Sequence, residues 1–293
     1  MKKHLLLITL ITLALTLSAQ GWEVDADMNL TLSQSAFSDN WVGTELSNIT
    51  WLASANTSAQ KQMKDWLHNR NTMKLAFGQT HLQKKDAMGK KYWEEPEKST
   101  DKIDLESLWR FTLQTWVDPF VAGRLESQFL DLSEEAFDNT RFVNPMLFTE
   151  SAGVMRTFID SDQMLFNSRF GAALRQNVNR DHITDFITME KETSSTMDGG
   201  LEFVGELKKQ INAPLQSTFR SRLQVYQALF NSKSDELNED WKSPDLVWEN
   251  TLSTQLFGML SANLLFEMRY DKEQVHEMQW KQMLGLGLSY TLF

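Results

Sequence analysis

The sequence of 293 residues contains no cysteine. This absence excludes disulfide bonds, thiolate metal sites, cysteine nucleophiles and the acylated cysteine of a lipoprotein. Histidines are also few, and His68, His81, His182 and His276 each lack a second histidine three or four positions away. The usual spacing of paired metal ligands is therefore missing. We expect no metal site and no cofactor.

Catalytic motifs are missing as well. A lipid-hydrolysing barrel needs a serine, a histidine and an orienting asparagine together on its lipid-facing wall, and no segment carries His and Ser in that relation. The sequence contains neither a Gly-x-Ser-x-Gly motif nor a glycine-rich phosphate loop. We expect no catalytic residue and no enzymatic activity.

Long apolar runs are confined to the N-terminus. Residues 5–17 are apolar or small, follow two lysines and precede Ser18 and Ala19, a pattern typical of a secretory signal peptide. A membrane anchor is the alternative, but a spanning helix needs roughly 20 apolar residues, and this run is shorter. We predict a signal peptide at 1–19, cleaved after Ala19, and an exported outer-membrane β-barrel domain at 20–293.

The formal net charge of −10 argues against nucleic-acid binding, which needs a basic surface. Mean hydropathy is −0.40, a value usual for soluble proteins. A membrane barrel is compatible with the same value, because only every second residue of its wall faces lipid.

Twelve segments show apolar and polar residues in alternation. Because residues i and i+2 share one face of a strand, each segment has one apolar and one polar wall. This pattern predicts an all-β fold, a single up-and-down antiparallel transmembrane barrel of about twelve strands. The segments are 24–32, 49–55, 73–77, 103–113, 121–129, 147–157, 164–174, 201–207, 219–226, 248–256, 260–268 and 280–293.

The connectors between these segments alternate in length, as short periplasmic turns and long extracellular loops do in bacterial barrels. Both termini fall on the short side. The longer connectors are 37–46, 81–102, 132–145, 177–192, 230–245 and 271–279. The shorter ones are 115–119, 158–162, 209–214 and 257–259, together with 57–65, whose moderate length is the exception.

A soluble sandwich or lipocalin-like barrel also has alternating strands. Three features favour an outer-membrane barrel over these soluble folds. The exported chain has no cysteine, its connectors alternate in length, and its tryptophans lie near the predicted strand ends. We expect two aromatic girdles at the membrane interfaces. Trp22, Trp66 and Trp116 belong to the periplasmic one, and Trp41, Trp248 and Trp280 to the outer one.

The last segment ends on Phe293, as outer-membrane barrels often end on an aromatic residue. The alternation of the preceding residues conflicts with a lipid-facing Phe293. The residues that share its face are small or polar: Gly285, Gly287, Ser289 and Thr291. Since buried apolar area decides which face meets lipid, we expect the other set to face outward: Leu284, Leu286, Leu288, Tyr290 and Leu292.

Three patches resemble an uncharacterised family of Gram-negative outer-membrane barrels, a domain of unknown function. They are 30–41 (LTLSQSAFSDNW), 71–78 (NTMKLAFG) and 98–103 (KSTDKI). Members share a Gln-Ser-x-Phe-x-x-Trp opening, an Asn-led third strand ending in aromatic-Gly, and a Lys-Thr-Asp-Asp-like entry to the fourth strand. The resemblance implies a barrel and brings no activity or catalytic residue.

The polar wall is predicted to face the lumen, with acids and bases in near balance and cations that are almost all arginine. We expect Glu150 and Arg156 to face the lumen too, although they share a face with Phe148 and Val154. The side chains of such a wall would form ion pairs across a narrow lumen, or they would line a constriction with weak charge selectivity. The candidate constriction residues are Glu106, Arg110, Arg124, Glu126, Arg169, Arg175, Glu202, Glu206, Arg220, Arg222, Tyr226, Glu249, Glu267 and Arg269.

Two functional hypotheses follow. The first is a narrow porin-like pore for an unidentified small solute. The second is a plugged barrel that acts as a structural or partner-docking component of the outer membrane. The expected partners are outer-membrane lipid and lipopolysaccharide, a small solute or another envelope protein. The lysines of 84–91 would suit lipopolysaccharide phosphates or an acidic partner, although exposed loops are commonly charged.

Overall fold

The computed structural model describes residues 21–38, 46–212, 214–237 and 239–291. The predicted signal peptide, Trp41, Leu292 and Phe293 lie outside these residues. No helix in this part of the chain is long and apolar enough to cross a membrane. Its strands are β1 (Glu23–Ser35), β2 (Asn48–Lys64), β3 (Leu67–Lys85), β4 (Lys91–Trp93), β5 (Glu97–Phe111), β6 (Asp118–Ser127), β7 (Leu130–Glu134), β8 (Asn139–Phe142), β9 (Met146–Ser161), β10 (Met164–Asp185), β11 (Glu190–Ile211), β12 (Ser217–Asn231), β13 (Asp245–Phe257), β14 (Leu260–Asp271) and β15 (Val275–Thr291).

Twelve of these strands close into one antiparallel up-and-down barrel, which confirms the predicted fold. Each barrel strand pairs with its neighbours in the chain, and β1 pairs with β15 from Asp27↔Thr291 to Leu32↔Leu286 to close the circle. The short strand β4 extends from β3, and β7 and β8 form a separate hairpin. A closed barrel leaves no unpaired strand edge along its wall.

The two faces of the wall differ as the alternation predicts. Outward residues are apolar and exposed, and Leu284, Leu286, Leu288 and Tyr290 each expose 50–62 % of their surface. The expected outward register of β15 is therefore confirmed for these four. Inward residues are buried and mostly polar, so the interior of this barrel is a packed, charged lumen.

Several connectors are shorter than predicted, because their flanking strands continue to pair beyond the apolar alternation; 158–162, for example, is reduced to 162–163. The turn between β2 and β3 is 65–66, and the turn between β14 and β15 is 272–274. Between β10 and β11 it is 186–189, since pairs such as Asn177↔Thr196 extend this hairpin beyond the predicted segment. The connector 57–65 is thus a tight turn, as the length rule requires, whereas the turns 186–189 and 272–274 are shorter than that rule predicts for their end.

One end of the barrel, here called the short-turn end, carries both termini of the barrel and the connections that follow β2, β5, β9, β11 and β13. The opposite end is called the long-loop end. Trp66 and Trp116 lie in turns at the short-turn end. Trp248 and Trp280 flank Phe266 on the outer face toward the long-loop end, with ring centroids 6.2 and 6.4 Å from that of Phe266. The predicted positions of these four tryptophans agree with the structure.

The sixth barrel strand, β9, corrects the predicted polar wall. Thr149, Ser151 and Met155 are buried and face the lumen, whereas Phe148 and Val154 are exposed on the outer face. Because side chains alternate with a period of two, Glu150 and Arg156 lie on that outer face too, and their predicted inward placement is wrong. The guanidinium of Arg156 lies over the rings of Trp116 and Phe158, at 4.7 and 5.3 Å from their centroids.

Candidate functional site

Five charged side chains from five strands meet in the lumen. Glu106 on β5 accepts a hydrogen bond from Arg169 on β10 at 2.5 Å. Arg70 on β3 bonds Glu206 on β11 at 2.8 Å and lies 3.8 Å from Glu106. Arg222 on β12 lies 3.8 Å from Glu106 and 3.6 Å from Glu206. Strands that are far apart in the wall are thus joined through the interior.

A second group continues this network toward the long-loop end. Arg124 binds Asp104 with two nitrogens, both at 2.9 Å, and Glu126 at 2.9 Å. The same guanidinium donates to Gln224 at 2.6 Å, and Gln224 donates to Glu202 at 2.8 Å. The planar fork of arginine suits this bidentate geometry, and it fixes the direction of the side chain.

Glu249 on β13 links opposite walls of the barrel. It pairs with Lys74 of β3 at 3.3 Å and is in contact with Lys102 of β5. In the closed circle of twelve strands, five strands lie between β5 and β13 in either direction. The Lys102–Glu249 pair therefore spans the full width of the lumen.

We call these groups together the central network. It contains six cations and six carboxylates, so its formal charge is zero. Its members are Arg70, Lys74, Lys102, Arg124, Arg169, Arg222, Asp104, Glu106, Glu126, Glu202, Glu206 and Glu249, with Gln224 as a neutral link.

Burial makes the pairing of this network obligatory. The side chains of Glu106, Arg169 and Arg222 are only 1 %, 5 % and 8 % exposed. A buried ion pair gives little net stability, but loss of one partner leaves an uncompensated charge, which is costly. Several guanidinium nitrogens have no hydrogen-bond partner among the described residues: Arg70 Nε, Arg169 Nε and Nη1, and Arg222 Nη2. The centre of the lumen therefore has spare donors.

An apolar cluster lines one side of the lumen, on the adjacent strands β5, β6 and β9, between the central network and the short-turn end. Leu108, Phe120 and Met155 are buried against one another, with Ala122 packed beside them. The Arg169 guanidinium lies 5.7 Å from the centroid of the Phe120 ring. We call this group the short-turn cluster.

A second cluster lines the lumen toward the long-loop end. Tyr226 is 1 % exposed and packs with Ala173, Ala228 and Trp241, the last of which comes from the connector between β12 and β13. The Arg175 guanidinium lies over the Tyr226 ring at 3.2 Å from its centroid. We call Ala173, Tyr226, Ala228 and Trp241 the loop-end cluster.

The structure brings together most of the predicted constriction residues, but not all of them. Eight belong to the central network: Glu106, Arg124, Glu126, Arg169, Glu202, Glu206, Arg222 and Glu249. Tyr226 belongs to the loop-end cluster, beside Arg175, which pairs with Asp245 at 2.7 Å. Four form separate pairs: Arg110 with Asp118, Arg220 with Asp27, and Glu267 with Arg269.

Sequence reasoning missed Arg70, Lys74, Lys102 and Asp104 as site residues. Their positions follow the same alternation as Glu106, so extending the third and fourth segments by parity would have identified them. The expectation of an almost purely arginine wall is also wrong, because Lys74, Lys102 and Lys208 face carboxylates in the lumen.

The predicted basic patch is partly neutralised. Lys84 pairs with Glu94 at 2.5 Å, and Lys91 donates to the backbone carbonyls of Phe37 and Ser38. Lipopolysaccharide as its partner stays a prediction. Among the described residues, no group of His, Asp and Glu side chains is arranged to hold a metal ion.

Glu273, in the turn between β14 and β15, has an unusual carboxyl group. Burial, together with the nearby charges of Asp271, Asp245 and Asp198, raises its pKa to about 7. Its Oε1 accepts a hydrogen bond from Asn231 at 3.1 Å. Four carboxyl groups are therefore near one another at the long-loop end, facing Arg175.

Comparison with known proteins gives a family of unknown function. Residues 32–131 match the family described as "Protein of unknown function (DUF3078)". This match covers about a third of the chain and includes the motifs at 71–78 and 98–103. The resemblance to an uncharacterised barrel family is confirmed over this segment. No curated protein matches the chain.

Solved outer-membrane barrels are similar in chain path. The COG4313 outer membrane channel from Pseudomonas putida F1 is 12 % identical, with 92 % of this chain and 94 % of that chain covered and a TM-score of 0.43. The Bordetella autotransporter BrkA β domain is 8 % identical over 92 % and 99 %, with a TM-score of 0.34. Pseudomonas putida OprB is 7 % identical over 94 % of both chains, with a TM-score of 0.30. Because these identities and TM-scores are low, the assignment of a barrel is based on the strand pairing within this chain.

Neutralising one carboxylate of the central network should destabilise the barrel strongly. We expect Glu106→Gln to lower the free energy of unfolding by about 3–5 kcal/mol, because Arg169 keeps a buried charge without its closest partner. The control is Arg269→Gln, whose side chain is 54 % exposed and whose loss should cost about 1 kcal/mol or less. Urea unfolding in detergent micelles measures both, and equal losses would contradict the obligatory pairing.

The raised pKa of Glu273 predicts a pH-dependent stability. A carboxyl group whose pKa is higher in the folded than in the unfolded state destabilises the fold once it ionises. We expect Glu273→Gln to raise the thermal midpoint at pH 8, with a gain that shrinks as the pH falls through about 7 and vanishes near the unfolded value. Glu236→Gln, on the neighbouring connector, is the control. A gain independent of pH would contradict this assignment.

Proposed function

We propose that the chain is an integral outer-membrane barrel with a closed lumen, which serves the membrane as a structural or partner-docking component. The observation that carries the proposal is the Lys102–Glu249 contact, because it joins opposite walls. The short-turn cluster and the loop-end cluster support it, since each narrows the lumen on one side of the central network. A solute would have to pass both clusters and separate the Lys102–Glu249 contact.

The outer face of the wall supports the membrane location. Large apolar residues cover it, among them Leu30, Leu32, Phe170 and Leu286, which expose 49–55 % of their surface. In water this exposure would be costly, whereas in a bilayer it matches the hydrocarbon. We place the short-turn end in the periplasm and the long-loop end outside the cell, following the asymmetry of bacterial barrels.

A narrow pore is the second candidate. The spare guanidinium donors of Arg70, Arg169 and Arg222 favour it, because they offer hydrogen bonds to water or a small solute inside the lumen. The equal numbers of acids and bases would give such a pore weak charge selectivity. Passage of a solute would require the charged side chains of the central network to exchange their ion-pair partners.

Conductance separates the two candidates. We expect the purified protein in a planar bilayer to show no steady conductance steps. Removing one side chain from each cluster and one from the central network, in a variant with Phe120→Ala, Tyr226→Ala and Glu249→Ala, should produce them. The control replaces the adjacent residues Val121, Val225 and Trp248 by alanine, and it should stay silent.

Steady conductance steps from the wild-type protein would overturn the closed lumen and leave the pore as the function. If the triple variant does not form a barrel, as judged by its strand signal in circular dichroism, the wild-type recording alone decides. A folded triple variant that stays silent would contradict the assignment of these three groups as the plug.

A further inference from the structure

A cleft of about 340 Å³ opens at the long-loop end, outside the lumen. One side is formed by the hairpin of β7 and β8, which belongs to the connector between β6 and β9. The other side is the extended part of the β10–β11 hairpin. The residues that shape the cleft are Asn139, Arg141, Phe142, Arg180, Asp181 and Lys191.

The floor of this cleft is a fixed polar core built around Asn144, which has no exposed surface. Its side-chain nitrogen donates to Asp131 and Asn179, both at 2.8 Å. Its side-chain oxygen accepts from the Arg180 backbone N–H at 2.8 Å, and its carbonyl accepts from Gln128 at 2.9 Å. Because its side-chain amide and its carbonyl are both used in this way, Asn144 holds the two hairpins in one relative position.

The backbone beside this core is strained. Val143 has a φ of 51° and Asp181 a φ of 51°. Positive φ is rare for any residue with a side chain, and for a β-branched residue such as Val143 it is a genuine outlier. Strain of this kind is maintained only by its surroundings, and it is frequent at binding sites.

Two cations at the cleft lack a carboxylate partner. Arg180 donates to the carbonyls of Phe142 and Val143, and Lys191 donates to Asn139 Oδ1. Neither forms an ion pair with the described residues. Arg141, although 7 % exposed and paired with Asp131, also has a buried Nε without a hydrogen-bond partner there. Arg141 also lies 3.5 Å from Glu134, so its charge is compensated. Arg180 and Lys191 face Asp181 as the acid of the cleft lining, which leaves one positive charge in excess.

The cleft also has an aromatic wall, because the Phe142 ring is 62 % exposed. A phosphate group accepts several charge-assisted hydrogen bonds from Arg and Lys. A sugar ring can lie against an aromatic face such as that of Phe142. The volume is in the range of small-molecule sites. These features point to one ligand that carries both groups.

We propose that this cleft binds a phosphorylated sugar, either free or as the headgroup of a lipid of the outer leaflet. The inference rests on the proposed function only in taking the long-loop end as the outer one. It does not depend on whether the lumen is closed, so conductance of the wild-type protein would leave it untouched.

The test uses the full chain in detergent micelles and isothermal titration calorimetry. The probes are N-acetylglucosamine 1-phosphate, uncharged N-acetylglucosamine, and a phosphorylated glucosamine glycolipid. We expect the free sugar phosphate or the glycolipid to bind, and the uncharged sugar to bind at least about tenfold more weakly. Binding of the glycolipid alone assigns the ligand to the lipid, and binding of the free sugar phosphate alone assigns it to a soluble molecule; both outcomes support the cleft.

The variants Lys191→Met and Arg180→Gln should each weaken binding about tenfold. The control is Lys233→Met, a lysine on a different connector of the same end that pairs with Glu236 at 3.5 Å, and it should bind as the wild type does. Circular dichroism checks that all three variants fold. No binding of either phosphorylated probe, or equal binding by all variants, would overturn the proposal.

Discussion

Mutual neutralisation of buried charge is the constraint on which this barrel depends. Six cations and six carboxylates occupy the central network, and members such as Glu106 are almost wholly shielded from solvent. Each charge has lost its hydration, and only an opposite charge at short distance compensates for that loss. Any rearrangement that separates the walls must therefore rehydrate several ions at once.

The outer and inner faces of the wall differ in polarity, although both are formed by the same strands. Closure between β1 and β15 satisfies the strand edges, so the outer face can consist of exposed leucines and aromatic rings. The inner face then holds the polar residues of every strand in a narrow space. Apolar clusters around Leu108 and Tyr226 narrow the lumen on either side of the central network.

Alternation in the sequence predicted the fold class, the strand number and most of the lumenal wall, because parity alone decides which side chains share a face. It could not predict that Lys102 meets Glu249, which are separated by 147 positions and brought together only by closure of the circle. Polar extensions such as the outer part of β10 were missed as well, because strands continue by backbone pairing where apolar periodicity has ended. The cleft beside Asn144 depends on loop packing, for which periodicity carries no signal.

Carbodiimide cross-linking of the purified barrel tests the closed lumen most directly, because it joins an amine to a carboxylate only where they are in contact. The account predicts a cross-linked peptide pair containing Lys102 and Glu249 in the mass spectrum. Lys281 and Glu267, a lumenal pair on the neighbouring strands β15 and β14 at 3.0 Å, provide the positive control for access of the reagent. Cross-linking of Lys281 to Glu267 without any product between Lys102 and Glu249 would contradict contact across the lumen and, with it, the closed lumen.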